Sequence, residues 1–132
     1  METGQTMRFR GAAEPASLGR LRAELGAFLT AAGALENLRF DVMLAVSEAA
    51  NNVLQHAYRH RTAPGALLVA ASADATAIRV AVSDDGSGLA PRADSPGAGL
   101  GLPLMAQLTD ELSVERPAAG GTLVALTWRR PA

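Results

Sequence analysis

The segment Ala77–Gly88, with the sequence AIRVAVSDDGSG, decides the architecture of this 132-residue chain. Its first half is the apolar, β-branched pattern of a strand, and acidic residues and glycines then end that pattern abruptly. An aspartate at the end of a buried strand, here Asp84, provides a fixed hydrogen-bond acceptor. The glycines that follow it, Gly86 and Gly88, let the backbone approach a flat ligand closely, although an ordinary turn explains the same residues equally well.

The residues before this strand predict an α+β arrangement. Residues 66–70 form a hairpin with it across a turn at Asp74, and residues 7–10 alternate between apolar and charged side chains as another strand does. Two helices are expected between these strands, one from about residue 14 to 33 and one from about residue 36 to 58. The apolar stripe of the second helix is expected to consist of Phe40, Val42 or Met43, Leu44, Val46, Ala50, Val53 and Leu54.

The last third of the chain adds a helix and a second hairpin. We expect a short helix over residues 100–109, then strands over residues 112–115 and 122–128 around a glycine-rich turn. The order β-α-α-β-β-α-β-β predicts a mixed, mostly antiparallel sheet with the helices on one face. A single domain spanning residues 1–132 is expected from the length.

Composition excludes several classes of protein. Hydrophobic residues make up 48% of the chain and the net charge is −1, which favours a globular protein with no direct contact to nucleic acid or membrane. No cysteine is present, so disulfides and thiol nucleophiles are excluded. All 12 basic residues are arginine. A P-loop NTPase or an ordinary protein kinase needs a lysine on the nucleotide phosphates, so both classes are excluded for this chain acting alone. The polar N-terminal residues and the shortness of the apolar runs predict a cytoplasmic location.

The second predicted helix concentrates its polar residues on one side. Glu48, Asn52 and His56 follow one another at four-residue steps and are expected to share a face. A carboxylate beside a carboxamide suits a hard cation that also binds phosphate oxygens. The alternative to a cation site is that these residues form an ordinary solvated polar face. The pair His56 and His60 is by itself a weak signal for a metal site, because no acidic metal-binding motif accompanies it.

A glycine-rich stretch, residues 97–102 with the sequence GAGLGL, opens the next helix. It does not follow the first strand of a βαβ unit, so a dinucleotide-binding Rossmann motif is excluded by context. Free backbone N–H groups at such a helix start still suit phosphate.

Taken together, these three motifs resemble the nucleotide-binding boxes of a known superfamily. The pattern ExxxN on a long helix, DxGxG after a strand and GxGLGL at the next helix resemble the N, G1 and G2 boxes of the GHKL ATPases, over residues 36–128. The sequences LAVSEAANN and GLGLPLM are similar to those of the anti-sigma factor serine/threonine kinases of the RsbW/SpoIIAB type. The resemblance implies the Bergerat fold, a two-layer α/β sandwich.

The resemblance also implies a role for each matching residue. Glu48 matches the general base, Asn52 the ligand of Mg²⁺, and Asp84 the acceptor for the amine of adenine. An ATP lid is implied at about residues 89–98, with Arg92 as the nearest cation in sequence for the γ-phosphate. The other nucleotide contacts implied are those of Gly86, Gly88, Gly99, Leu100, Gly101, Leu102 and Thr122.

The activity implied by the resemblance is phosphorylation, by ATP with Mg²⁺, of a serine or threonine on a STAS-domain anti-anti-sigma factor. The same chain would sequester a sigma factor and would form a homodimer, for which the first strand and helix are a plausible surface. One alternative is a non-catalytic ATP-binding module, which the presence of Glu48 disfavours. Another is the ATP-binding half of a histidine kinase, which would need a separate chain to carry the phosphoaccepting histidine.

Overall fold

The computed structural model describes residues 4–57, 65–85, 101–118 and 120–131. These residues form five strands, three α-helices and one π-helical turn that continues the second helix. The strands are β1 (Gln5–Ala12), β2 (Ala66–Ala73), β3 (Ala77–Asp84), β4 (Glu111–Glu115) and β5 (Leu123–Arg129). The helices are α1 (Pro15–Ala31), α2 (Glu36–Asn52) and α3 (Gly101–Leu108), and the π-helical turn is Val53–Ala57.

The strands form one sheet in the order β1-β2-β3-β5-β4. Every neighbouring pair in the described part of the chain is antiparallel, so the predicted α+β architecture is confirmed and the sheet is antiparallel rather than mixed. The hairpin β4–β5 joins the hairpin β2–β3 through β5, so β4 is at the edge of the sheet and the end of β3 lies beside the start of β5.

The core lies between one face of this sheet and the helices. Alternation along β3 directs Ile78, Val80 and Val82 to the helical layer, where all three are buried. Leu25 on α1 and Val46 on α2 are buried against them in the same cluster. Burial of each such side chain contributes about 1.5–3 kcal/mol, and this packing fixes the helices on the sheet. No helix among the described residues is long and apolar enough to cross a membrane.

The predicted apolar stripe of α2 was partly wrong. Its buried side consists of Val42, Ala45, Val46, Ala49 and Ala50, whereas Phe40 is 66% exposed and Leu44 is only half-buried. Two residues along an α-helix turn it by about 200°, so Phe40 and Leu44 cannot share the face of Val42. The small alanines are the true packing surface, because they let α2 approach the sheet closely.

The end of the sheet near the β2–β3 turn is held by two polar side chains. Asp74 Oδ1 accepts hydrogen bonds from the N–H groups of Thr76 and Ala77, at 2.8 and 2.9 Å, and from the Thr76 hydroxyl at 2.7 Å. These bonds, led by the one from the Thr76 hydroxyl, lower the pKa of Asp74 to about 2. Arg130 donates to the carbonyl oxygens of Asp74 and Ala32, which ties the turn to the end of α1.

Candidate functional site

The candidate site begins at the last residue of β3. Asp84 is buried, with 7% of its surface exposed, and its backbone N–H donates to the Thr122 carbonyl oxygen at 3.2 Å. The Thr122 N–H donates in return to Asp84 Oδ2 at 3.1 Å. The register that pairs Ser83 with Leu123 therefore continues to Asp84 and Thr122. The hydrogen bond from the Thr122 N–H fixes the orientation of the Asp84 carboxylate.

Gly121 makes this pairing possible. It has φ +84°, and a Cβ atom at this position would overlap with the main-chain oxygen of Asp84. A residue with a side chain would meet both the steric overlap and an unfavourable backbone conformation. Gly120, with φ +104°, lies just before it in the same turn. The packing of Gly121 against Asp84 gives the physical reason for a glycine just before Thr122, the residue that the resemblance implies as a nucleotide contact.

Helix α2 carries the second part of the site. Glu48 and Asn52, four residues apart, are both half-buried, at the margin of the buried face that includes Ala45 and Ala49. The helix packs against α1, α3 and β3, and the π-helical turn after Asn52 also contacts β3. The end of α2 and the strand that ends in Asp84 are therefore adjacent.

The π-helical turn Val53–Ala57 was not predicted from the sequence. Hydrogen bonds of the i→i+5 type widen the helix in this turn. The regular α-helical repeat therefore ends at Asn52. The expectation that His56 shares a face with Glu48 and Asn52 concerns a side chain outside the described part of the chain. Such turns occur often at functional sites, and here one follows directly on the residue expected to bind metal.

The glycine-rich motifs are described only in part. Gly86, Gly88, Gly99 and Leu100 lie outside the described residues, as does the segment 89–98 expected to form the lid, with Arg92 in it. Gly101 is the first described residue of α3. The half-buried side chain of Leu102 packs against the core, so any contact of this residue with a nucleotide would come from its backbone.

Asp85 has a different environment from Asp84. Its Oδ1 accepts a hydrogen bond from the Ala66 N–H at 3.2 Å, and its Oδ2 lies 3.7 Å from Arg10 Nη2. These contacts tie the end of β3 to the start of β2 and to β1.

A metal ion could find only part of its coordination here. Within residues 4–57, 65–85, 101–118 and 120–131, no three His, Cys, Asp or Glu side chains come together as a metal site. The carboxamide oxygen of Asn52 is a hard ligand of the type that Mg²⁺ accepts. This donor set fits an ion that takes most of its ligands from phosphate and water.

A surface pocket lies beside Glu48, on the outer side of α1 and α2. Arg22 Nε donates to Ser47 Oγ at 3.2 Å across the two helices, and the exposed ring of Phe40 lies at one end. The side chains that line the pocket are those of Arg22, Phe40, Met43, Leu44, Ser47, Glu48 and Asn51. The sequence did not predict this surface, since it assigned Phe40 and Leu44 to the core.

Known proteins are similar to this chain in sequence and in fold. A family model described as "Histidine kinase-like ATPase domain" matches residues 11–128. The anti-sigma F factors of Thermoanaerobacter sp. strain X514 and Caldanaerobacter subterraneus subsp. tengcongensis are 32% and 33% identical to this chain over 98 residues. The first alignment covers 66% of this chain and 67% of that relative.

Two solved structures are similar to the whole arrangement. One contains the RsbU and RsbW domains of a Mycobacterium tuberculosis protein, with a TM-score of 0.73 and 26% identity; the match covers 97% of this chain and 34% of that one. The other is the histidine kinase domain of a blue-light-activated kinase from Erythrobacter litoralis, with a TM-score of 0.61 and 28% identity over 86% of this chain and 59% of that one.

The chain belongs to the histidine kinase-like ATPase family. Within that family, the resemblance to the anti-sigma factor kinases of the RsbW/SpoIIAB type is confirmed by the curated relatives and by the RsbW-containing structure. The predicted Bergerat fold is likewise confirmed.

Proposed function

We propose that this chain is an ATP- and Mg²⁺-dependent serine/threonine protein kinase that also acts as an anti-sigma factor. Its phosphoacceptor is a STAS-domain anti-anti-sigma factor, and its second partner is a sigma factor that it sequesters in the cytoplasm. The chain works as a homodimer and as one domain over residues 1–132, with the ATP lid at about residues 89–98. The observation that supports the proposal is that α2, the helix that carries Glu48 and Asn52, packs against β3, the strand that ends in the buried Asp84.

The nucleotide base binds at the end of β3 in this proposal. The carboxylate of Asp84 accepts a hydrogen bond from the exocyclic amine of adenine, and the Thr122 N–H holds that carboxylate in one orientation. Guanine presents a carbonyl oxygen in the same place, and two acceptors facing each other are unfavourable in a buried site. The absence of side chains at Gly86 and Gly88 lets the backbone run close to the adenine ring. Thr122 takes part in the hydrogen bonds around the base.

The phosphates lie between α2 and the start of α3. Backbone N–H groups at Gly99, Leu100, Gly101 and Leu102 bind phosphate oxygens, and the carboxamide of Asn52 helps to hold Mg²⁺. When bound, Mg²⁺ would supply positive charge that neutralises the negative charge developing on the phosphate oxygens. The chain's own contribution is to hold the γ-phosphate in line with the attacking hydroxyl.

Glu48 acts as the general base. Its carboxylate takes the proton of the acceptor hydroxyl as the new O–P bond forms on the γ-phosphorus, while the bond to the β–γ bridging oxygen breaks and ADP leaves. The pocket beside Glu48 gives a protein substrate access to this carboxylate from the α1–α2 side. An acceptor loop that fits there brings its hydroxyl to Glu48 without opening the core.

Transfer from γ-labelled ATP with Mg²⁺ to each STAS-domain protein of the source genome tests the proposal. Label on one serine or threonine, lost in Glu48→Gln, is the expected result. ATP binding without transfer to any acceptor would contradict the kinase and favour a non-catalytic nucleotide-dependent module. Recovery of a sigma factor with the purified chain tests the second partner independently.

A further inference from the structure

Two rows of exposed or half-buried side chains run along α2 at four-residue steps. The rows are Phe40, Leu44, Glu48, Asn52 and Met43, Ser47, Asn51. Each step advances a row by about 6 Å along the helix axis, so successive members are neighbours on the helix surface. The first row therefore runs from an exposed aromatic ring to the two residues assigned to the base and the metal.

Phe40 differs from the other aromatic residues whose side chains the structure describes. Its surface is 66% exposed, whereas Phe9, Phe28 and Trp128 are buried in the core. A single apolar side chain on a surface is ordinary, but Phe40 shares a pocket with the half-buried Leu44. Aromatic side chains are enriched at protein interfaces and supply much of their binding energy. The ring of Phe40 is thus placed as an anchor for a partner.

The pocket that contains Phe40 also contains Glu48, so one partner can contact both residues. Met43 and Leu44 line it with apolar surface, and Arg22 lines it from α1, where a hydrogen bond to α2 holds the guanidinium. Its volume of about 290 Å³ is at the lower limit for small-molecule sites. An open pocket of this size favours a few side chains of a protein over a free small ligand.

We propose that Phe40 selects the phosphoacceptor protein, by binding one exposed apolar side chain of that protein while the acceptor hydroxyl is at Glu48. The inference rests on the proposed kinase function, in which the acceptor has to reach Glu48. The partner is a protein that carries an apolar side chain at a set distance from the serine or threonine that is phosphorylated. A protein without that side chain reaches the base but lacks the anchor.

The spacing along α2 sets this distance. Phe40 and Glu48 are eight positions apart, and a rise of about 1.5 Å per residue separates them by about 12 Å along the helix axis. The apolar side chain of the acceptor that contacts Phe40 therefore lies about 10–15 Å from the hydroxyl that meets Glu48. In an extended acceptor segment, at about 3.3 Å per residue, this distance spans about four residues.

Leu35 provides a matched comparison at the start of the same helix. It is 64% exposed, nearly the same as Phe40, but it lies at the N-cap of α2 and does not line the pocket. Its side chain makes no capping hydrogen bond that a substitution would remove. If any exposed apolar side chain on this helix promoted association, truncation of Leu35 and of Phe40 would have the same effect.

Steady-state transfer to the STAS-domain proteins of the source genome tests the proposal with the full chain, at saturating ATP and Mg²⁺. Phe40→Ala is expected to raise the KM for the labelled acceptor by about tenfold while kcat stays within about twofold, because an anchor contributes to binding and not to the chemical step. Phe40→Leu keeps an apolar side chain and should retain most of the affinity. Leu35→Ala should have the wild-type KM, and ATP affinity should be unchanged in all three variants.

Alanine substitutions on the acceptor identify the side chain that meets Phe40. Exposed apolar residues about 10–15 Å from the phosphorylated hydroxyl are changed one at a time, and one of them should raise KM as Phe40→Ala does. Combined with Phe40→Ala, that change should add little, since both remove the same contact. Full additivity for every such acceptor residue would overturn the proposal.

Binding of the same STAS-domain proteins in the presence of ADP separates docking from the kinase assignment, because ADP has no γ-phosphate to transfer. An affinity that falls about tenfold in Phe40→Ala supports docking even where transfer is absent. Normal transfer with an unchanged KM in Phe40→Ala would overturn docking and leave the kinase standing. Absence of both binding and transfer would overturn both. A Phe40→Ala chain that binds the acceptor normally but a sigma factor weakly would overturn the choice of partner.

Discussion

Gly121 lies directly against the main chain of Asp84, although 37 residues separate them in sequence. A Cβ atom at residue 121 would overlap with the carbonyl oxygen of Asp84, and the φ of +84° disfavours any L side chain. The orientation of the Asp84 carboxylate by the Thr122 N–H depends on this close approach. The residue expected to select adenine is thus positioned by the turn that leads into β5.

Gly121→Ala should therefore damage both stability and nucleotide binding. Positive φ and overlap with backbone together are expected to cost at least about 2 kcal/mol of unfolding free energy. Chemical denaturation and titration with ATP measure the two effects. Gly19→Ala is the control, because a Cβ there meets nothing within 4 Å and an exposed helical site should gain about 1 kcal/mol. Normal ATP affinity in folded Gly121→Ala would contradict the assigned role of this turn.

Asp84→Asn should weaken ATP binding and reduce the preference for adenine. Loss of a buried acceptor for the exocyclic amine is worth about 1–3 kcal/mol, which is about a 5- to 150-fold change in affinity. Competition between ATP and GTP measures it directly. Asp85→Asn serves as the matched control, because Asp85 contacts Ala66 and Arg10 instead. A wild-type chain that binds GTP as tightly as ATP would count against the assignment.

Asp74 should make stability depend on pH in the acid range. Its pKa falls from 3.8 to about 2 in the folded chain, so its stabilising contribution is present above pH 4 and is lost as the pH falls toward 2. Thermal unfolding at several pH values should show a shallower acid decline for Asp74→Asn than for the wild type. Parallel curves for the two proteins would mean that these hydrogen bonds do not favour the carboxylate.

Arg130→Met should destabilise the fold without touching the nucleotide site. The change removes the donors that satisfy the carbonyl oxygens of Asp74 and Ala32, for an expected loss of about 1–3 kcal/mol. Arg129→Met is the control, since the Arg129 side chain is exposed and only its backbone N–H bonds to Asp110. Equal unfolding midpoints for the two variants would contradict the role of Arg130, and ATP affinity should be unchanged in both.

Most of the fold was predictable because its signals are local. The alternation of apolar residues in β3 and their three- and four-residue spacing in α1 can each be read within one short segment. Both elements were confirmed. Phe40 was assigned to the buried face of α2 in error, because an apolar residue near the start of a helix fits the three- and four-residue spacing only loosely. The alanines that do pack against the sheet give a weak hydrophobic signal in the sequence. The π-helical turn after Asn52 depends on packing against β3, which no local pattern encodes.

The candidate site was predictable only at the level of motifs. Glu48, Asn52 and Asp84 were predicted because their motifs occur in a recognisable order along the chain. Their placement relative to one another depends on contacts between distant segments. The four strand registers that build the sheet are likewise set by contacts between distant segments. Arg130 was missed for the same reason, because its two acceptors lie 56 and 98 residues away.

The most direct test of the kinase assignment separates binding from transfer in two α2 variants. ATP affinity with Mg²⁺ and transfer of label to a STAS-domain acceptor are measured side by side for Glu48→Gln and Asn52→Ala. We expect Glu48→Gln to bind ATP as the wild type does while losing transfer, and Asn52→Ala to lose Mg²⁺-dependent ATP binding. Transfer that persists in Glu48→Gln, or unchanged ATP affinity in Asn52→Ala, would contradict the account.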